Sequence, residues 1–230
     1  MKKRLWRGIL AAGMVLAFNA PVSADLNADG DFQFWNTEAV EGKLNDHWKV
    51  YTEAEFRFGD DASEFYYQHT HLEIGYKVND WLEIAPAYRQ VWELFTKSVD
   101  EEGQEDWFVE YRPMVNVTVK YKWNGWEISD RNRFEYRFFD IDKEDHFRYR
   151  NKITLKTPWK WTSWGINPFI ADEIFIQEND QFNRNRFYLG VGMDIIEHLT
   201  ADVFYLWQTS EKGDEWVDFN IIGAKLKLKF

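Results

Sequence analysis

The sequence predicts an all-β chain, an antiparallel transmembrane β-barrel of 10 to 12 strands with short periplasmic turns and longer acidic extracellular loops. Three observations carry this prediction. An export signal opens the chain, ten long alternating segments follow, and Phe230 closes the period-two run Ala224-Lys225-Leu226-Lys227-Leu228-Lys229-Phe230 with a terminal aromatic.

The signal comes first. Lys2, Lys3, Arg4 and Arg7 form a basic n-region, Ile9 to Phe18 a short apolar core, and Val22-Ser23-Ala24 a small-x-small cleavage pattern. Residues 1–24 therefore read as a signal peptide and 25–230 as one barrel domain. No later stretch is apolar for the roughly 20 residues a crossing helix needs, so membrane residence has to come from strands. The chain has no Cys, which excludes disulfides, thiolate nucleophiles and Cys-ligated zinc. Its formal charge of −11 becomes more negative still once the signal leaves, which disfavours nucleic acid as a partner. Aromatics at 19% beside charged residues at 29% suit a wall with a lipid face, aromatic girdles and a wet lumen.

The predicted strands run His47 to Arg57, Glu64 to Lys77, Trp81 to Phe95, Trp107 to Lys122, Trp126 to Phe138, His146 to Lys156, Ile166 to Gln177, Arg184 to Asp194, Leu199 to Gln208 and Trp216 to Phe230. Each alternates apolar and polar residues over 10 to 16 positions, longer than the usual soluble strand. Tight turns are expected at Val78-Asn79-Asp80, Trp123-Asn124-Gly125 and Ile195 to His198. Longer connections are expected at Thr96 to Asp106, Phe139 to Asp145, Glu178 to Asn183 and Thr209 to Glu215. Phe32 to Ala39 also alternates. It is either an extra strand or lumen insert on a ten-stranded barrel, or the sign of a missed crossing and a count of twelve, because single-chain barrels of this kind have even counts.

Alternation assigns the faces. In Trp126 to Phe138 one face carries Trp126, Ile128, Phe134, Tyr136 and Phe138, interrupted by Asp130 and Asn132, where a bulge is a candidate explanation. The other face carries Arg131, Arg133, Glu135 and Arg137, and must point inward, since Arg on a lipid face costs roughly 2 to 4 kcal/mol at the midplane. The same rule turns inward Glu53, Glu55 and Arg57, then His69, His71 and Glu73, then Glu83 and Arg89, then Glu110 and Arg112. Arg148, Arg150, Glu173, Arg184 and Arg186 complete the candidate lumen network. Such a network reads either as structural filler, with every charge paired, or as a lining that selects anionic or sugar-acid solutes. Trp48, Trp81, Trp107, Trp123, Trp126, Trp207 and Trp216 fall near predicted strand ends and read as interfacial belts.

Other chemistries find little support. His69, His71 and Glu73 share a face, yet neither Ser63 nor Ser129 sits in a nucleophile motif, so no catalytic residue is assigned and the chain is not expected to be an enzyme. No metal or other cofactor is assigned. Asp25-Leu-Asn27-Ala-Asp29-Gly30-Asp31 opens like a calcium loop, but its twelfth position is Asn36 where a bidentate Glu is required. The acidic runs Asp100 to Asp106 and Asp140 to Asp145 suit solvated outer loops, with bridging of divalent cations to lipopolysaccharide as the alternative.

Asp31-Phe-Gln-Phe-Trp-Asn-Thr-Glu-Ala-Val-Glu-Gly-Lys-Leu, Glu53-x-Glu55-x-Arg57, Ala87-Tyr88-Arg89, Arg131-x-Arg133, Arg148-x-Arg150-Asn151-Lys152 and Pro168-x-x-Ala171-x-Glu173-x-Phe175 together resemble the DUF2490 family of predicted outer-membrane proteins. The resemblance covers nearly the whole mature chain and implies fold and location; the family has no assigned activity. A looser likeness to small oligosaccharide-specific porins rests on size, signal and a basic lumen. The expected location is the Gram-negative outer membrane, with membrane lipid, lipopolysaccharide and, through the C-terminal strand, the assembly machinery as partners. Three functions stay open: a small channel, a structural or lipid-interacting barrel with a plugged lumen, and, less favoured, an outer-membrane hydrolase or other lipid-modifying enzyme using lumen His and Glu residues.

Overall fold

The computed structural model describes Leu26 and residues 28–95, 106–178 and 181–230. The predicted signal peptide, Asp25, Asn27 and residues 96–105 of the first acidic loop lie outside them. Among the described residues every regular element is a strand: β1 (Asp31–Lys43), β2 (Trp48–Gly59), β3 (Glu64–Lys77), β4 (Leu82–Phe95), β5 (Asp106–Trp123), β6 (Trp126–Phe139), β7 (His146–Lys156), β8 (Asn167–Gln177), β9 (Gln181–Ile196), β10 (Leu199–Lys212) and β11 (Glu215–Lys229).

The strands close in chain order into one barrel. Each pairs antiparallel with its sequence neighbour, and β1 seals the ring by lying parallel to β11, from Asp31↔Phe219 to Glu41↔Lys229. Residues 31–43 are thus an extra strand beside the ten, and the barrel is mixed rather than wholly antiparallel. The physical reason is parity. An eleventh strand must run the same way as the one it meets, and a parallel ladder still pairs the backbone groups of both edges.

Connections at the mouth that holds Phe230 span residues 44–47, 78–81, 124–125, 157–166 and 197–198. One of the two two-residue connections is Asn124-Gly125, where φ is +48° and +82°, the left-handed pair that a two-residue hairpin needs. The opposite mouth differs from the expectation of uniformly long loops. β10 and β11 continue to Lys212 and Glu215, leaving only a two-residue turn at 213–214 where the sequence predicts a loop from Thr209 to Glu215. The extension occurs because Thr209 to Lys212 find cross-strand partners in Glu215 to Asp218. At the same mouth Asp60, Asp61 and Ala62 all take positive φ. That turn is tied to the start of β1: Asp61 N donates to Asp31 Oδ1 (3.0 Å), Ala62 N to Phe32 O (3.0 Å) and, on β11, Asp218 N to Asp29 Oδ1 (2.8 Å).

Outward faces are apolar with exposed rings toward both mouths: Trp48, Trp81, Trp123 and Trp159 on one side, Trp107, Phe138, Phe182 and Trp216 on the other. Trp207 departs from the belt reading, because β10 is longer than predicted and places it well inside the strand. The predicted bulge near Asn132 is absent, since β6 keeps one register against β7 from Glu127↔Lys156 to Arg137↔His146. The interrupting polar residues instead bond across strands on the outer wall. Asn151 Nδ2 donates to Asp130 Oδ1 (2.5 Å), Tyr149 Oη to Asn132 Oδ1 (2.5 Å), and Asn185 Nδ2 to Asp172 Oδ1 (3.1 Å).

Inside, one flank is apolar: Trp35, Ala171, Tyr188, Leu206, Val217, Phe219 and Ile221 form a buried cluster with Phe169 and Phe204 against it. Gly190 and Gly223 make room for these rings. A Cβ on Gly190 would lie 2.5 Å from Phe169 Cζ and 2.7 Å from Phe204 Cβ, contacts that demand movement of the wall. Gly190→Ala is therefore expected to lower the unfolding free energy of the refolded protein by about 1 to 3 kcal/mol, the usual range for overpacking, read as a lower urea midpoint. Gly42→Ala, which meets nothing within 4 Å, should leave the midpoint in place.

Candidate functional site

The lumen opposite the apolar flank is charged, and period two is what builds it. Inward positions of β2 bring Glu53, Glu55 and Arg57, those of β3 His69, His71 and Glu73, those of β4 Glu83 and Arg89, and those of β5 Glu110 and Arg112. β6 contributes Arg131, Arg133, Glu135 and Arg137, β7 Arg148 and Arg150, β8 Glu173, and β9 Arg184 and Arg186.

Each buried carboxylate collects several cations. Glu110, with no exposed surface, accepts from Arg112 Nε (2.5 Å) and Nη2 (2.6 Å) and from Arg137 Nε (2.5 Å) and Nη2 (2.8 Å). Glu173 accepts from Arg150 (2.8 Å), Arg131 (3.0 Å) and Tyr188 Oη (3.1 Å), with Arg186 at 3.8 Å. Glu135 accepts from Arg148, and Arg150 stands 3.8 Å from it. Glu53 takes Arg89 Nη2 (2.9 Å), Lys225 Nζ (3.1 Å) and Tyr51 Oη, and Glu55 takes Arg57 Nη2 (2.6 Å). Near the Phe230 mouth, Lys49 bridges to Glu83 at 2.8 Å.

Two guanidiniums hold no carboxylate among the described residues. Arg133 donates Nε to Asn116 Oδ1 (2.8 Å), whose amide in turn donates to Glu73 (2.6 Å). Arg184 donates Nε to Ser210 Oγ (3.0 Å). His69 and His71 join the network. His69 Nε2 lies 3.2 Å from Glu53, His71 Nε2 lies 3.7 Å from Glu73, and no group of three His, Cys, Asp or Glu among the described residues is assembled for an ion.

Aromatic rings in the lumen carry guanidiniums on their faces. Arg57 stacks over Trp35 at 3.7 Å and over Tyr67 at 4.0 Å, and Arg186 and Arg150 lie 4.8 and 4.5 Å from the Phe175 centroid. At the mouth opposite Phe230, Lys143 packs 4.5 Å over Phe139, and burial together with nearby Arg137 pushes its ammonium below the usual lysine range. The acids of that loop serve its closure: Asp140 Oδ1 accepts from Val109 N (2.7 Å) and Asp145 Oδ1 from Phe139 N (2.9 Å).

Empty space follows the charge. A cavity of about 600 Å³ opens at the mouth opposite Phe230. Beneath it lies a second of about 270 Å³, and Arg57, Arg89, Arg150 and Arg186 border both. Toward the Phe230 mouth follow cavities of about 230 and 250 Å³, the first sharing Arg131, Arg133 and Lys225 with the second cavity and the other sharing Lys156 and Lys227 with it.

The profile of the family described as a protein of unknown function (DUF2490) matches residues 32–218, from the first strand into the last. The chain belongs to this family. This DUF2490 protein is also similar to an uncharacterized protein of Methylorubrum extorquens AM1, 26% identical over 225 residues that cover 94% of each chain.

Several lumen residues escape the sequence reading. Lys225 was legible in the alternation of the last strand, whereas Trp35, Tyr51, Asn116 and Tyr188 carry no charge to mark them. The clamp on Glu110 is directly testable. Glu110→Gln strips the charge that holds Arg112 and Arg137, and should cost about 3 kcal/mol or more in urea unfolding. Glu127→Gln, whose Lys122 partner is 74% exposed, should cost less than about 1 kcal/mol in the same assay.

Proposed function

We propose that this DUF2490 protein is an outer-membrane barrel that forms a small channel preferring anionic solutes, sugar acids among them. The observation that carries the reading is the series of cavities from mouth to mouth whose shared walls are mostly guanidiniums and lysines, with Glu53 and Asp202 as the acids among them. The surplus of cations over carboxylates raises the local concentration of anions even though the chain as a whole is acidic. Membrane residence is supported by the apolar outer wall and by the rings exposed toward both mouths, which match a lipid-facing band with two aromatic girdles. In that setting the Phe230 mouth faces the periplasm, the terminal strand is the segment offered to the assembly machinery, and the opposite rim meets lipopolysaccharide. No catalytic role is proposed for the lumen histidines.

A second reading draws on the belt of Arg57, Arg89, Arg150 and Arg186, whose ion pairs, with the cluster around Leu206 and Ile221, narrow the lumen. A barrel plugged there is structural or lipid-interacting.

Planar-bilayer recording of the refolded mature protein separates the two. The channel reading expects discrete steps with an anion-preferring reversal potential, and a weaker preference in Arg133→Gln, which removes a lumen charge without orphaning a carboxylate. Silence from protein shown to be folded by heat-modifiable gel mobility overturns it in favour of the plug.

A further inference from the structure

The cavity of about 600 Å³ at the mouth opposite Phe230 carries a cation surplus like that of the cavity beneath it. Ten Arg and Lys side chains border the wider of the two against three carboxylates, those of Glu93, Glu144 and Glu211. Glu110 and Glu135, which hold Arg112, Arg137 and Arg148, are 0% and 1% exposed and do not border the space, and Glu53, Glu55 and Glu173, which hold Arg57, Arg89, Arg150 and Arg186, border the cavity beneath it instead. Carboxylates thus fix the guanidiniums from behind or from beneath and leave the cavity-facing side cationic. Arg184 and Lys143 border the same space without a carboxylate bridge among the described residues, and desolvation of Lys143 makes an incoming anion more favourable still.

The aromatic residues narrow the choice of ligand. A site for neutral sugar presents a bare ring face for stacking, yet of the rings bordering this cavity Tyr67 and Phe175 already have guanidiniums over theirs and Phe108 has the Lys143 ammonium 5.9 Å from its centroid. What remains accessible is fixed N–H donors in fork geometry, which match the oxygens of carboxylate and phosphate.

We propose that this cavity is a binding site for a small solute carrying two or more carboxylate or phosphate groups. Its volume of about 600 Å³ falls within the range of small-molecule sites. The inference deepens the channel reading by naming the solute class, but it concerns binding, so a non-conducting barrel that holds the polyanion would leave it standing while ending the channel.

The test is isothermal titration of the refolded protein, in detergent free of lipopolysaccharide, with citrate, pyrophosphate and the neutral disaccharide maltose. Saturable binding of citrate or pyrophosphate near one per barrel is expected, weakening as salt rises, with none of maltose. The double variant Arg184→Gln/Lys143→Gln should bind at least about tenfold more weakly, the loss of charge-assisted hydrogen bonds. Lys160→Gln, at the other mouth and 70% exposed, should bind as the parent does. No polyanion binding, equal binding of maltose, or equal weakening by Lys160→Gln overturns the proposal. If solubilised lipid A binds while citrate and pyrophosphate do not, the cavity takes a lipid headgroup instead and the free-solute assignment fails.

Discussion

A carboxylate with no access to water survives as an anion only if cations reach it, and in this lumen that requirement is met almost entirely by arginine. Glu110 is clamped by two guanidiniums and Glu173 by several from three neighbouring strands. The stagger of the strands is thereby tied to the charges: shifting one strand by a single residue would turn its inward set to the outer wall and strand the partners left behind. Pairs such as Arg150 with Glu173 link adjacent strands, while Arg131 with Glu173 spans the strand between them. The network acts as an internal ruler for the barrel.

Pairing and openness pull in opposite directions. Every bridge that secures the wall also draws a long side chain across the interior, and one flank is already filled by Leu206, Ile221 and their neighbours. The structure resolves this by dividing labour around the circumference. Apolar rings gather on β8 to β11 and β1, with Gly190 and Gly223 letting them lie close to the wall, most of the buried ion pairs lie on β2 to β9, and the second cavity runs between the two, bordered by Trp35, Phe169, Tyr188 and Phe204 as well as by guanidiniums.

Much of the architecture was legible because a period of two is a strong local signal. The ten segments, their inward faces and the lining from Glu53 to Arg186 follow from alternation and the cost of exposing charge to lipid. Strand direction is not local. Nothing in Phe32 to Ala39 says whether its neighbour runs with it or against it, so the parallel seam emerges only from closure. Cross-strand neighbours also decide where a strand stops, which is why Thr209 to Lys212 read as loop and fold as sheet. Asp130 and Asn132 look like a fault in the pattern until Asn151 and Tyr149 are placed beside them. Trp35 reads like any wall aromatic, and only the register that puts it beside Arg57 shows it facing inward.

The odd number of strands separates the two ends of the chain. Phe230 lies at one mouth, bonded to Glu41 and Lys43 at the end of β1, while the residues preceding β1 are fastened at the other, where Gly30 and Asp29 meet Asp218. A barrel with an even count can fold as a row of hairpins with both tails left on the side of entry. Here β1 can complete the ring only by lying parallel to β11, so closure is a long-range event that waits on two strands nearly two hundred residues apart.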